Sequence, residues 1–234
     1  MAPADDLLQS MRITAEALRD GSLIAAARSR ASADVALRSD AEIEASLDAM
    51  LASHPAGQDV WLFGYGSLMW NPAMHYAESR PGVVRGWHRS YCLWAHMGRG
   101  SPEAPGLMLA LDRGGSSAGM LFRFPAATAR AELLLPWRRE MFTGGYLARW
   151  VRVDIETGPV RAATFVANRA YKRYAGRLDE ATIAAHLAVA GGSLGTCIEY
   201  LEQTLAVLRA HGRTDHRLER LDRLVAGASG LASV

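Results

Sequence analysis

A short apolar segment runs directly into a glycine-rich turn at residues 60–69, which read Val60-Trp61-Leu62-Phe63-Gly64-Tyr65-Gly66-Ser67-Leu68-Met69. Its first four residues carry large apolar side chains, a pattern typical of a buried β-strand. Two glycines one residue apart then permit positive φ or a close approach of the backbone to a neighbour. Because successive N–H groups in such a turn can hold an anion, the loop is a candidate binding site for a carboxylate.

Other interpretations of this loop compete with the anion site. A dinucleotide-binding fingerprint requires a third glycine at position 69, where this chain has Met69. A nucleophile elbow requires a glycine two residues after Ser67, and that position is again Met69. The simplest alternative is a tight turn that serves only the fold. Spacing disfavours the two glycine motifs and leaves the anion site and the simple turn open.

Short apolar segments after the loop predict further strands. They are Gly82–Arg85, Ser90–Ala95, Gly106–Leu111, Ser117–Phe124, Leu147–Val153 and Val160–Val166. Three helical segments are predicted beyond them, at 179–189, 194–210 and 214–225. Short strands with one helix among them and helices around them predict an α+β fold, a small, partly closed β-barrel with surrounding helices.

The region before the first strand has a different composition. Residues 4–53 are rich in Ala, Leu, Arg, Asp and Glu and predict helices, one of them capped at Ser39. A linker is predicted at His54–Gly57. The sequence therefore predicts a helical N-terminal extension at 1–55, a core domain at 56–225 and a flexible tail at 226–234.

An acidic residue in the middle of the chain is a candidate for proton transfer. Thr128 can cap a helix, and Pro136 is predicted to interrupt it because proline lacks an N–H and clashes with the preceding turn. This interruption would place Glu140 just past the helix break and shortly before Gly144-Gly145-Tyr146.

The neighbours of Glu140 act on its pKa in opposite directions. Met141 and Phe142 would desolvate the carboxyl group and raise its pKa, as suits a general base. Arg138 and Arg139 would lower the pKa, and a surface salt bridge to either one is the alternative role for Glu140. The sequence leaves the sign of the shift open.

Composition excludes several classes of function. The chain has 234 residues, and a formal net charge of +2 with no polybasic run predicts no nucleic-acid partner. The acidic N-terminus and the lack of a long apolar run predict a cytoplasmic protein with no membrane partner.

Cys92 and Cys197 are predicted to be reduced thiols. His88, Cys92 and His96 share one strand face but are too widely spaced for one zinc ion, so no metal site is predicted.

Several short motifs, in a fixed order, carry a resemblance to a known family. They are residues 60–72, Ser79–Gly82, Arg85–Gly86, Arg89, Arg99–Ser101, Pro105–Gly106, Arg139–Glu140, Gly144–Tyr146 and Glu199–Leu201. Over about residues 60–210 the chain resembles the ChaC-like γ-glutamylcyclotransferases. The glycine loop and the Arg-Glu…Gly-Gly-Tyr element, in this order, are the specific part of the match.

The resemblance implies an activity and a set of site residues. It implies no cofactor, Glu140 as the catalytic acid and base, and glutathione as the substrate, converted to 5-oxoproline and cysteinylglycine. The residues expected to bind the γ-glutamyl group are Gly64, Tyr65, Gly66, Ser67, Leu68, Met69 and Tyr146. Arg89 and Arg99 are candidates for the glycine carboxylate of glutathione, although ordinary surface salt bridges would explain both arginines equally well.

Two other functions stay open. A cyclotransferase for other γ-glutamyl amides or amino acids would share the loop and Glu140. A non-catalytic regulator of cation transport would bind a protein partner and would need neither. The helical N-terminal extension is a candidate partner or dimer surface, and the sequence does not indicate an oligomeric state.

Overall fold

The computed structural model describes residues 13–31 and 36–231, and the described chain forms two compact units. The barrel unit contains residues 13–90 and 110–171, and the helical unit contains residues 91–109 and 172–231. Neither unit begins or ends at residue 55 or 225, where the sequence predicts domain boundaries. The predicted division stays a prediction.

Five strands close into a β-barrel in the order β1-β3-β2-β4-β5, with a further pairing of β3 with β5. They are β1 Val60–Gly64, β2 Glu78–Ala95, β3 Gly106–Phe124, β4 Tyr146–Ile155 and β5 Gly158–Ala167. β1 lies antiparallel to β3, with Val60 opposite Phe124 and Gly64 opposite Met120. The predicted α+β barrel is confirmed, and it is fully closed because β5 pairs with β1, with Leu62 opposite Ala163.

Two pairs of predicted short strands are single long strands. Gly82–Arg85 and Ser90–Ala95 both belong to β2, and the two segments of 106–124 both belong to β3. Gly86 has φ of 80°, and Gly114 has φ of 96°. A glycine at positive φ can bend a strand without ending it, so the predicted strand boundaries at these glycines are wrong.

In the described part of the barrel unit the α-helices are α1 Ala15–Arg19, α2 Ser22–Arg30, α3 Asp40–Ala52 and α4 Ala129–Met141. Ser39 caps α3 as predicted, and its hydroxyl and the Glu42 carboxylate form a reciprocal capping box. Residues 4–12 and 32–35 of the predicted helical extension lie outside the described residues.

Helix α4 continues through Pro136, so the predicted interruption is wrong. Proline in a helix interior costs about 3 kcal/mol. Pro136 lies among buried side chains of the same helix, including Leu133 and Trp137, and burying a large apolar side chain returns about 1.5–3 kcal/mol. Tertiary packing therefore outweighs the local cost, and Glu140 lies in the last turn of a continuous helix.

The helical unit contains α5 Glu180–Val189, the short pair β6 Gly191–Gly192 and β7 Gly195–Thr196, α6 Cys197–Ala210 and α7 His216–Leu231. Helix α6 starts later than predicted because residues 191–196 form the β6–β7 hairpin. Helix α7 runs past the predicted end at residue 225, since Ala226 is a strong helix former. Residues 232–234 of the predicted tail lie outside the described residues.

Two further sequence predictions concern the membrane and the cysteines. Across residues 13–31 and 36–231, no helix has the length and apolar character needed to cross a bilayer. Cys92 and Cys197 are both buried thiols that do not form a disulfide with each other.

Candidate active site

The glycine loop leaves the end of β1 and closes into a single 3₁₀ turn at Ser67–Met69. The Met69 N–H donates to the Gly66 carbonyl over 2.9 Å, and the Asn71 N–H donates to the Ser67 carbonyl over 2.8 Å. The first N–H groups of a helical turn have no acceptor within it. In this loop they belong to Ser67 and Leu68, as a site for an anion requires.

Neither glycine of the loop has a positive φ, and Gly64 is required by a close approach. Gly66 has φ of −131°, and Gly64 is likewise outside the left-handed region. A Cβ atom on Gly64 would lie 3.0 Å from the Leu68 Cβ and 3.3 Å from the Phe122 ring. The sequence suggested either positive φ or close approach for these glycines. At Gly64 the fold requires the close approach that a missing side chain allows.

Tyr65 and Arg89 hold the start of the loop from within the barrel unit. The Tyr65 hydroxyl donates to the Phe165 carbonyl over 2.7 Å. The Arg89 Nε donates to the Tyr65 carbonyl over 2.6 Å, and its Nη2 donates to the Ala118 carbonyl. Arg89 is only 4% exposed, so its interpretation as a surface salt bridge is wrong. The arginine fixes the backbone of the loop.

Glu140 lies in the last turn of α4, with its side chain 15% exposed and its Oε1 3.0 Å from the Arg139 Nε. Burial raises the pKa of the carboxyl group, and this effect outweighs the opposing attraction of Arg139. The negative end of the helix dipole also disfavours an anion at this position. The structure thus decides the sign that the sequence left open, and the alternative of an exposed salt bridge is wrong.

One guanidinium joins the loop to the candidate acid. The Arg139 Nη2 donates to the Ser67 Oγ over 2.6 Å, and Nη1 donates to the Asn71 carbonyl over 2.6 Å. Its Nε lies against Glu140, as given above. Ser67 and Glu140, which are 73 positions apart in sequence, therefore meet at the same side chain. The sequence identifies Arg139 as part of the family motif and as a possible salt-bridge partner, but it does not indicate this bridging role.

The double glycine after Glu140 forms the turn into β4. Gly144 has φ of 75°, a conformation that favours glycine. The Asn168 side chain donates to the Gly144 carbonyl, and the Asn168 N–H donates to the Gly145 carbonyl, each over 2.9 Å. Tyr146 then starts β4 opposite Ala167. The turn fixes the backbone that leads away from Glu140, and substrate contact by Tyr146 stays a prediction.

Arg99 belongs to the helical unit, not to the barrel unit that holds the loop and Glu140. It is 9% exposed, and its Nη1 donates to the Thr196 carbonyl over 2.6 Å. Its guanidinium carbon lies 5.2 Å from the centre of the Tyr200 ring. These contacts tie Arg99 to the start of α6, and its burial contradicts the surface position that a surface salt bridge assumes.

The described parts of the chain contain no cluster of three or more His, Cys, Asp or Glu side chains that could hold a metal ion. The zinc alternative for His88, Cys92 and His96 therefore has no support in the geometry. The His88 Nδ1 lies 3.1 Å from the Gly114 carbonyl, a contact between the two long strands of the barrel.

Comparison with known proteins decides the family. The ChaC-like protein family model matches residues 60–228. This chain belongs to the ChaC-like family. The resemblance predicted from the sequence is confirmed, and the ChaC-like match begins at β1, so the helices before residue 60 lie outside it.

Two curated relatives and one solved structure illustrate the family. The glutathione-specific γ-glutamylcyclotransferase of Escherichia coli K12 is 46% identical over 158 residues, covering 67% of this chain and 68% of the relative. Human glutathione-specific γ-glutamylcyclotransferase 1 is 33% identical over 149 residues, covering 62% and 67%. The crystal structure of a yeast γ-glutamyl cyclotransferase specific to glutathione has a TM-score of 0.68 at 20% identity, covering 72% of this chain and 96% of that one. At this sequence identity, the structural similarity shows a shared fold.

Proposed function

We propose that this chain is a γ-glutamylcyclotransferase that cleaves glutathione to 5-oxoproline and cysteinylglycine. The observation that carries the proposal is the Arg139 guanidinium, which binds the hydroxyl of Ser67 and lies against the carboxylate of Glu140. This contact supports the loop as the anion site and Glu140, next to it, as the proton-transfer group. The names of the E. coli and human relatives support glutathione as the substrate.

In the proposed reaction the nucleophile belongs to the substrate. The α-amine of the γ-glutamyl group attacks its own γ-carbonyl, a C–N bond closes the five-membered lactam, and the amide bond to cysteine breaks. Well-oriented intramolecular reactions reach effective molarities on the order of 10⁵ M or more. The main task of the site is therefore to hold the substrate in its curled form.

Glu140 moves the protons of this reaction. As a carboxylate it takes a proton from the α-ammonium group, which frees the lone pair for attack. As a carboxylic acid it then returns a proton to the leaving amine of cysteine. A carboxyl group whose pKa is raised by burial suits both steps, because its two protonation states are closer in free energy at working pH.

The loop holds the charged end of the substrate. The N–H groups of Ser67 and Leu68 are the proposed donors to the α-carboxylate or to the oxyanion that develops on the γ-carbonyl. The Ser67 Oγ accepts from Arg139, and a guanidinium has donors only and cannot act as a base. A nucleophilic serine needs a base beside it, so this contact supports a positioning role for Ser67.

The test is an assay of the purified full chain with glutathione. Mass spectrometry should detect 5-oxoproline and cysteinylglycine in equal amounts. A parallel assay with γ-glutamyl-alanine identifies the broader cyclotransferase, which would release 5-oxoproline from that compound as fast or faster. If neither substrate gives 5-oxoproline, the proposed activity is rejected and the non-catalytic regulator is favoured.

A further inference from the structure

The helices before residue 60 contact the site although they lie outside the family match. The first contact is at Asn71, whose side-chain amide donates to the Ile13 carbonyl over 3.1 Å. The carbonyl of Asn71 accepts from Arg139, and its N–H donates to Ser67. One residue therefore joins the loop, the bridging arginine and the helical arm, which we define as residues 13–31 and 36–52.

A second contact is at Arg138, next to the bridging arginine. Its Nη1 donates to the carbonyls of Leu18 and Arg19 over 2.9 and 3.0 Å. These carbonyls are at the end of α1, where the helix itself supplies no donor, and a cation there also interacts well with the helix dipole. The side chain of Arg138 is 19% exposed, so most of it is held between α4 and the arm.

A third contact lies two residues beyond Glu140. The Arg38 N–H donates to the carbonyl of Phe142, the C-cap of α4, over 2.8 Å. Arg28 in turn donates to the Arg38 carbonyl over 3.0 Å. The arm is anchored independently of these bonds, since Leu18 and Ile43 are fully buried. A packed arm can therefore transmit its position to the last turn of α4.

We propose that Asn71 and Arg138 are positioning residues through which the helical arm fixes Arg139 and Glu140 against the loop. The inference rests on the proposed function of this site. Arg139 keeps its contacts with Ser67, Asn71 and Glu140 only if α4 and the loop hold their positions relative to each other. A displacement of about 1 Å at a catalytic group can cost on the order of 10²-fold in rate.

The alternative is that the arm only stabilises the fold, and α4 itself offers the matched control. Arg130, near the start of the same helix, pairs with Asp48 over 2.7 Å and with Glu44 over 3.3 Å on α3 of the arm. It lies ten positions before Glu140, which is roughly three helical turns. Removing the Arg130 contacts loosens the arm near the start of α4 and leaves both carbonyl contacts of Arg138 in place, although Glu44 also lies 3.8 Å from the Arg138 Nη2.

The experiment compares full-length Arg138→Gln, Asn71→Ala and Arg130→Gln. We expect kcat on glutathione to fall on the order of tenfold in the first two variants, with KM changed by less than about twofold. Arg130→Gln should stay within about twofold of the wild type. Arg138→Lys should recover part of the loss, because an ammonium group can still donate to one of the two carbonyls.

A second readout does not depend on activity. The pKa of the Glu140 carboxyl group can be followed by ¹³C NMR of glutamate-labelled protein, with Glu140→Gln identifying the signal. Burial is the larger cause of the raised pKa, and Arg139 is the charged group that opposes it. Loosening the last turn should therefore lower the pKa in Arg138→Gln and leave it unchanged in Arg130→Gln.

Two outcomes reject the positioning role. One is an equal loss of kcat in Arg138→Gln and Arg130→Gln, or losses that simply follow the fall in Tm. The other is a Glu140 pKa that is the same in both variants. A wild-type chain that releases no 5-oxoproline would reject the proposed function instead, and the NMR comparison would still decide whether the arm positions Glu140.

Discussion

Two of the arginine–carboxylate pairs on helix α4, one near each end, differ mainly in exposure. Arg130 and Asp48 are joined over 2.7 Å with side chains 50% and 52% exposed. Arg139 and Glu140 are joined over 3.0 Å with side chains 6% and 15% exposed. The pKa of Asp48 is lowered, mainly by its hydrogen bond from Arg130, whereas the pKa of Glu140 is raised by burial.

The same kind of arginine–carboxylate pair therefore shifts the pKa of the carboxyl group in opposite directions at the two ends of α4. In water a neighbouring arginine simply keeps a carboxylate ionised, while in the interior the loss of hydration can exceed the attraction. At Glu140 the loss of hydration exceeds the attraction of Arg139, and the pKa rises. What distinguishes the proposed acid and base from a structural ion pair is its burial.

The largest expected effect separates the two pairs by activity. Glu140→Gln keeps the size of the side chain but cannot take up a proton, so turnover of glutathione should fall by on the order of 10²–10⁴-fold. Asp48→Asn, the matched change in the exposed pair, should leave turnover unchanged. Release of 5-oxoproline measures both, and circular dichroism checks the fold. A fully active Glu140→Gln would end the assignment.

Replacing the arginine of each pair by lysine tests the contribution of the arginine instead of the carboxylate. Arg139→Lys keeps the charge but loses the planar fork that reaches Ser67, Asn71 and Glu140 together. We expect kcat/KM to fall by about tenfold, whereas Arg130→Lys should have no measurable effect. Steady-state kinetics of the two variants decide the point, and equal activities would show that the bridge at Arg139 is dispensable.

A smaller effect is expected at Ser67, the partner of the buried pair in the loop. Ser67→Ala removes one side-chain hydrogen bond, worth about 1 kcal/mol, and leaves the backbone donors in place. The expected loss in kcat/KM is therefore roughly fivefold. Complete loss of turnover with the fold and glutathione binding intact would instead indicate a nucleophilic serine.

The smallest effect is on stability and has opposite signs for the two pairs. The raised pKa of Glu140 gives a stabilising contribution that is full below its ordinary value of 4.5 and is lost as pH rises through the shifted value. Glu140→Gln should thus gain Tm relative to wild type as pH rises towards neutral. Asp48 has a lowered pKa and contributes above its ordinary value of 3.8, so Asp48→Asn should lose Tm over the same rise.

Thermal unfolding from about pH 3 to about pH 8 measures both differences. The same titration of Glu140 should appear in kcat/KM, which rises with pH as the carboxylate becomes available as a base. Parallel pH dependence of Tm in the two variants would contradict the assignment of Glu140 as the desolvated partner.

Much of the barrel and part of the site could be predicted from local patterns. The run from Val60 to Phe63 predicted a buried strand, and the loop after it was recognised because its motif is continuous in sequence. The long strands and the unbroken α4 were missed. Gly86 and Pro136 are breakers by local propensity, but β2 continues through Gly86 at positive φ, and packing keeps α4 unbroken at Pro136.

By itself, the sequence determined the family, the strand-and-loop motif and the choice of Glu140 as the candidate acid and base, because these depend on residue types in a fixed order along the chain. Only the tertiary structure decided that Arg139 joins Ser67 to Glu140, that Arg89 and Arg99 are buried, and that the arm contacts the site. Exposure and contact depend on which distant segments pack together. The sign of a pKa shift depends on the balance of hydration and charge that this packing creates.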